Sequence, residues 1–133
     1  MATIKKFEDL EIWQQARKYS LDIFDVCNKE PFSKDFRFRG QIKSAAGSVM
    51  DNIAEGFKRS SRLEFINALG ISKGAAGEVK SQLYRALDQK YICKELLDEL
   101  YQKYDKLAAG IAGFMSYLNQ SQIKGQKFKD RTK

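Results

Sequence analysis

Residues 97–118 read LDELYQKYDKLAAGIAGFMSYL. Leu97, Leu100, Tyr104, Leu107, Ile111, Phe114 and Leu118 recur at alternating steps of three and four. That is a heptad seam, the pattern of a helix whose apolar stripe packs in a left-handed bundle. The helix is predicted to begin near Cys93 or Lys94 and to end near Gln120. Beyond it, residues 121–133 hold five basic residues against one acidic, with Gly125 and a lone Phe128. This stretch reads as a basic, disordered tail on a bundle formed by residues 1–120.

Working back from the seam, three more helices complete the bundle. Residues 61–89 open with Ser61-Arg62-Leu63-Glu64, a capping box in which the serine hydroxyl accepts from the Glu64 amide. Leu69, Ala76, Val79, Leu83 and Leu87 form the apolar stripe of this third helix. Gly70, Gly74 and Gly77 each cost about 1 kcal/mol against alanine in a helix interior. With Ala68, Ala75 and Ala76 they predict a face where another backbone comes close. The second helix is predicted from Ser33, as N-cap, to Gly56, as terminator, with Phe38, Ile42, Ala45, Val49 and Ile53 inward. The first spans about Phe7 to Asn28, with Trp13, Ala16, Ser20, Ile23, Phe24 and Cys27 on one stripe. Glu8, Asp9 and Glu11 crowd its first turn, where the helix dipole favours acids. Four long helices, short connections and no strand alternation define an all-α, antiparallel up-down-up-down four-helix bundle.

At 133 residues the chain is one domain with a core of its own. It has no histidine, and therefore lacks the commonest general base and metal ligand. The Glu-x-x-His pairs of di-iron bundles are excluded with it. There is no Gly-rich phosphate loop. Cys27 and Cys93 show no metal-type spacing and read as reduced thiols. No apolar run approaches the roughly 20 residues of a membrane span, and no apolar signal segment opens the chain. These features read as a cytoplasmic protein, not an enzyme, with no cofactor and no metal.

The net charge is +7. Residues 31–60 carry six basic residues against three acidic, and the tail is basic too. Such a distribution suits an anionic partner, nucleic acid first, and Lys34, Arg37, Arg39, Lys43, Lys58, Arg59, Lys124, Lys127, Lys129 and Arg131 are the candidate phosphate contacts. A second constellation is polar. Gln41, Ser44, Ser48, Asn52 and Glu55 follow one another at steps of three and four along the second helix, beside its apolar stripe. Glu78 on an antiparallel third helix falls toward the Gln41 end. Two readings stand: hydrogen bonding between helices or subunits by Gln41, Ser48, Asn52, Glu55 and Glu78, or a polar site in a pore or groove.

Phe7-Glu8-Asp9-Leu10 with Ile12-Trp13-Gln14, then Gln41, Ala45, Ser48 and Asn52-Ile53-Ala54-Glu55-Gly56 with Arg59, form a combined signature. Phe65, Leu69, Gly74, Glu78, Gln82 and Leu83 continue it. This resembles the four-helix-bundle proteins encoded in intervening sequences of bacterial 23S ribosomal RNA genes, over about residues 7–118. Lys43-Ser44, Asp51 and Ala75 depart from that family's usual pattern. The resemblance implies a ring-shaped homo-oligomer, typically a pentamer. It also implies kinship with accessory proteins of diversity-generating retroelements, which bind reverse transcriptase and nucleic acid. Two functions follow as expectations: an RNA-binding scaffold, or a protein-interaction scaffold for a partner enzyme such as a polymerase.

Overall fold

The computed structural model describes residues 4–127, with side chains described through Gln120. A 3-10 turn, Phe7–Asp9, precedes α1 (Glu11–Cys27). A second, Phe32–Lys34, precedes α2 (Phe36–Phe57). Then come α3 (Arg62–Asp88) and α4 (Lys94–Lys127). Each helix packs on the next, and α1 closes against α4, so the chain runs up, down, up and down around one core. No strand occurs among the described residues.

The α4 seam lies inward. Leu97, Leu100, Tyr104, Leu107 and Ile111 are all buried, and Leu118 nearly so. The predicted stripe of α2 is buried throughout, as are Leu69, Ala76, Val79 and Leu83 of α3. Ser61 caps α3 as its sequence requires, accepting from the Glu64 amide at 2.9 Å. At the other end of α3, Lys90 takes a left-handed conformation (φ 65°). The Tyr91 amide then donates to Ala86 and the Lys90 amide to Leu87, which satisfies two carbonyls that the helix end leaves orphaned.

Several expectations are corrected. The N-cap of α2 is Asp35, not Ser33. Its carboxylate accepts from the Phe38 amide at 3.2 Å and from the Tyr91 hydroxyl at 2.7 Å. Ser33 instead sits in the turn that carries Phe32 into the core, stacked on Phe38 and Tyr91. The start of α2 follows from that aromatic anchor. The buried stripe of α1 is Ile12, Ala16, Ile23 and Cys27. Phe24, one residue past Ile23, is turned by about 100° and is 44% exposed. The last helix runs to Lys127 rather than Gln120, because nothing after Gln120 but Gly125 opposes helix.

Glycine roles also change. Gly56 does not end α2; it lies inside the helix with ordinary helical φ. A methyl group there would stand 2.6 Å from Ala68 Cβ and 3.0 Å from the Phe65 ring, so α2 and α3 approach closely at this point. At Gly74 and Gly77 a methyl would meet nothing within 4 Å, and at Gly70 only Met115 Cε at 3.8 Å. No backbone of the same chain approaches those three.

Candidate nucleic-acid interface

The predicted phosphate contacts do not gather in one place. Lys34, Arg37, Arg39 and Lys43 stand at the first half of α2. Lys58 and Arg59 follow its last residue, at the opposite end of a helix about 33 Å long. Lys124 and Lys127 lie on the last turns of α4. Phe65 of the first α3 turn packs against Phe114, so those turns run past the level where α3 begins. Lys129 and Arg131 lie outside the described residues. One chain therefore presents two basic regions.

The two regions differ in how their charges are engaged. Arg59 pairs with Glu55 at 3.2 Å, and Lys34 with Glu30 at 3.5 Å, both on the surface. Lys58 sits 5.7 Å from the Phe7 ring. On the α1–α2 side, Lys43 Nζ lies 4.9 Å from the Phe24 ring centre and Arg39 Cζ 5.2 Å from that of Phe36. Arg39 also donates to the Ser33 carbonyl at 3.1 Å. Among the described residues, Arg17, Lys18, Arg37, Arg39 and Lys43 have no carboxylate within 4.0 Å. Sequence reasoning missed Arg17 and Lys18, which with Leu21 and Phe24 line an open groove of about 720 Å³ along α1. The signal was available: both are cations on the turns next to Leu21, on the face opposite Ile12 and Ala16.

The polar constellation divides into local pairs. The Asn52 amide donates to the Ser48 carbonyl and to its hydroxyl, each at 2.9 Å, within α2 itself. Glu55 serves Arg59. Gln41 accepts from Arg85 across to α3 at 3.4 Å. Arg85 lies flat against Phe38, 4.3 Å from the ring centre. Gln41, Ser48 and Glu78 do share a surface, a shallow groove of about 470 Å³ that Arg37, Gly40, Ser44 and Ala45 complete. Within one chain they form no continuous network. The interhelical hydrogen bond that sequence reasoning did not foresee is deeper: the Ser72 hydroxyl donates to the Val49 carbonyl at 2.6 Å.

Among the described residues, no serine or cysteine side chain is hydrogen-bonded to a carboxylate, lysine or tyrosine that could serve as its base. Burial pushes the Cys27 thiol above its usual range, only partly offset by Lys43 and Arg39, so it is a packing residue. The Asp35 carboxyl is held below the usual range, mainly by the Tyr91 hydroxyl and then by the Phe38 amide, in a fastening of two loops. Among the described residues no group of three or more cysteine and carboxylate side chains converges as a metal site requires. No described helix is long and apolar enough to cross a membrane.

The architecture and surface define a compact all-helical bundle with an uncompensated cationic side. The residues quoted above from the first to the third helix carry a family signature, and comparison bears on it directly. Residues 8–113 match the family described as 23S rRNA-intervening sequence protein, and the chain belongs to that family. A crystal structure from Bacteroides thetaiotaomicron VPI-5482, of a protein of unknown function from the S23 ribosomal protein family, is similar in fold. It superposes with a TM-score of 0.73 at 21% identity, over 79% of this chain and 95% of that one. None of the curated proteins matches the chain.

Proposed function

We propose that this protein is a non-enzymatic, self-assembling scaffold that binds nucleic acid, RNA foremost, in the cytoplasm. The observation that carries the reading is the set of five cations on the α1–α2 side with no carboxylate partner among the described residues. A fold does not need such a set, since unpaired like charges repel one another. Phosphates would relieve the repulsion.

Self-assembly rests on α3. Leu63, Ile71 and Tyr84 are all at least half exposed on its outer face. Between them Gly74 and Gly77 leave room for another backbone. A second copy of the chain covers that face in a homo-oligomeric ring, for which a pentamer is the expected size. Gln41, Ser48 and Glu78, which share a groove, and Asn52 and Glu55 further along α2 would hydrogen-bond across the contact. Ring assembly then multiplies weak phosphate contacts through avidity.

Light scattering together with a salt titration of RNA binding tests both parts. The expected result is a mass of several protomers and an affinity that falls steeply with salt. A monomer at micromolar concentration defeats the assembly reading. Absence of RNA binding at about 50 mM salt, where phosphate contacts are strongest, defeats the scaffold reading. In that case a protein partner retained from nuclease-treated lysate would favour the accessory-subunit role.

A further inference from the structure

Phe36 is 71% exposed and Phe24 44%, with Leu21 beside Phe24 at 59%. Neither ring contributes to the core, and each is overlaid by a cation of α2. Arg39 and Lys43 are four residues apart, so they stand one turn apart on the same helical face. The two rings therefore flank a single cationic ridge between α1 and α2. Arg17 and Lys18 extend it along the α1 groove, and Arg37 extends it toward the α2–α3 groove. The acids closest in sequence are occupied or lie off the α1 groove, and Glu78, which lines the α2–α3 groove with Arg37, is not within 4.0 Å of its guanidinium. Asp35 is held by Tyr91 and Phe38, Glu30 pairs with Lys34, Asp22 pairs with Lys103, and Asp25 does not line the groove.

Exposed aromatic rings among unpaired cations make a specific kind of surface. Cations alone bind any polyanion, duplex or single strand. An exposed ring adds affinity only when a base is free to lie on it, which an unpaired strand permits and a duplex does not. The face is also too broad to enter the narrow major groove of an RNA duplex. We infer that the α1–α2 face binds single-stranded nucleic acid, with bases stacking on Phe24 and Phe36 and phosphates lying on Arg17, Lys18, Arg37, Arg39 and Lys43. This rests on the nucleic-acid reading above and narrows it to one strand form and one face. An acidic protein segment is the competing occupant. It would engage the same cations but would have no use for unpaired-base geometry.

The test uses the full chain, a fluorescent oligouridylate of about twelve nucleotides, within the site sizes typical of such surfaces, and a hairpin duplex of matched length. Wild-type protein is expected to bind the single strand more tightly than the duplex. Phe36→Ala and Phe24→Ala should each weaken the single strand roughly tenfold and leave the duplex unchanged. Phe36→Tyr, which keeps the ring, should restore binding. Arg37→Gln should lower the slope of log affinity against log salt by about 0.7. Equal binding of both probes, untouched by loss of either ring, overturns this inference and leaves the broader reading standing. Loss of oligomer mass in the ring variants also overturns it, because the face is then a contact between copies. Failure of the wild type to bind either probe removes the broader reading and this one with it.

Discussion

The α3–α4 side and the α1–α2 side use the same kinds of residue to different ends. On the first, three lysines are tied to carboxylates, two of them across helices: Lys80 with Asp105, Lys94 with Asp98, and Lys103 with both Asp22 and Glu99, while Arg62, Lys73, Arg85, Lys90 and Lys106 have none within 4.0 Å among the described residues. Its aromatics lie in the core, as Tyr104 does, or against another ring, as half-exposed Tyr84 does on Tyr101 and Tyr117 on Phe114. On the second, five cations stand without carboxylates, and Phe24 and Phe36 face water. The first arrangement is one that stabilises a bundle. The second offers stability less, since neither ring joins the core and exposed cation–ring contacts are worth about 0.5–1 kcal/mol each. Composition alone does not separate the two sides; ion pairs that cross between helices do, since Lys80–Asp105 joins α3 to α4 and, among the described residues, none joins α1 to α2.

The sharpest way to break this contrast is to truncate one apolar side chain on each side. Leu107 is fully buried in the α4 seam. Leu107→Ala should cost about 2–5 kcal/mol in urea unfolding, the lost transfer energy plus a cavity. Phe36→Ala should change stability by no more than about 0.5 kcal/mol. Comparable losses at the two positions would mean that the α1–α2 face is a structural surface after all.

The same contrast explains what could be read from the sequence. The α4 seam was legible because a strict heptad has one inward face, and burial then leaves no choice of stripe. Ser61 was legible because a cap is local, needing only the Glu64 amide three residues on. Phe24 was not, because Ile23 and Phe24 are both apolar neighbours. Only the angle at which α1 meets α2 and α4 decides which one is buried. The N-cap of α2 was misplaced at Ser33 because Asp35 is also fixed by Tyr91, 56 residues away, a pairing no local pattern contains. The basic residues of α2 were visible as a group. Their division between two ends, and the absence of carboxylates near only some of them, depends on what α1 and α3 bring alongside.

Gly56 sharpens the comparison from the other direction, since it marks a close contact between the two sides. A methyl there meets Ala68 Cβ at 2.6 Å. Ala68 Cβ is fixed to its backbone and has no rotamer by which to retreat. Overpacking of this kind costs about 1–3 kcal/mol. Alanine's better helix propensity returns about 1 kcal/mol. Gly56→Ala should therefore destabilise the protein by up to about 2 kcal/mol. Gly74→Ala, where nothing lies within 4 Å, should stabilise a single chain instead. If Gly74→Ala lowers the oligomer mass in light scattering, that face is the contact between copies.

A smaller effect belongs to Asp35, which ties the start of α2 to the α3–α4 loop. Its carboxyl titrates below the usual range because the charged form is hydrogen-bonded by Tyr91 and Phe38. A depressed native pKa gives stability that is complete above the unfolded value, about pH 3.9, and is lost as pH falls through the native value. Asp35→Ala should lower the thermal midpoint at neutral pH. The gap from wild type should close below about pH 4. A gap that stays constant into acid would assign the effect to packing rather than to the carboxylate.

The last and smallest change tests how well the closed side is made. Tyr104 is fully buried, and its hydroxyl has no hydrogen-bond partner among the described residues. Burial raises its pKa, with the nearby Asp22 charge adding to the shift, so the phenol stays neutral. An unsatisfied buried hydroxyl is a cost, while the ring itself is well packed and edge-on to Tyr19 at 5.9 Å. Tyr104→Phe removes the hydroxyl and keeps the ring. It should stabilise the protein by about 1 kcal/mol, read as a higher urea midpoint at unchanged slope. A loss instead of a gain would mean that the hydroxyl is satisfied in solution. The α1–α4 seam would then hold a polar contact, and the closed side would be less purely apolar than its packing implies.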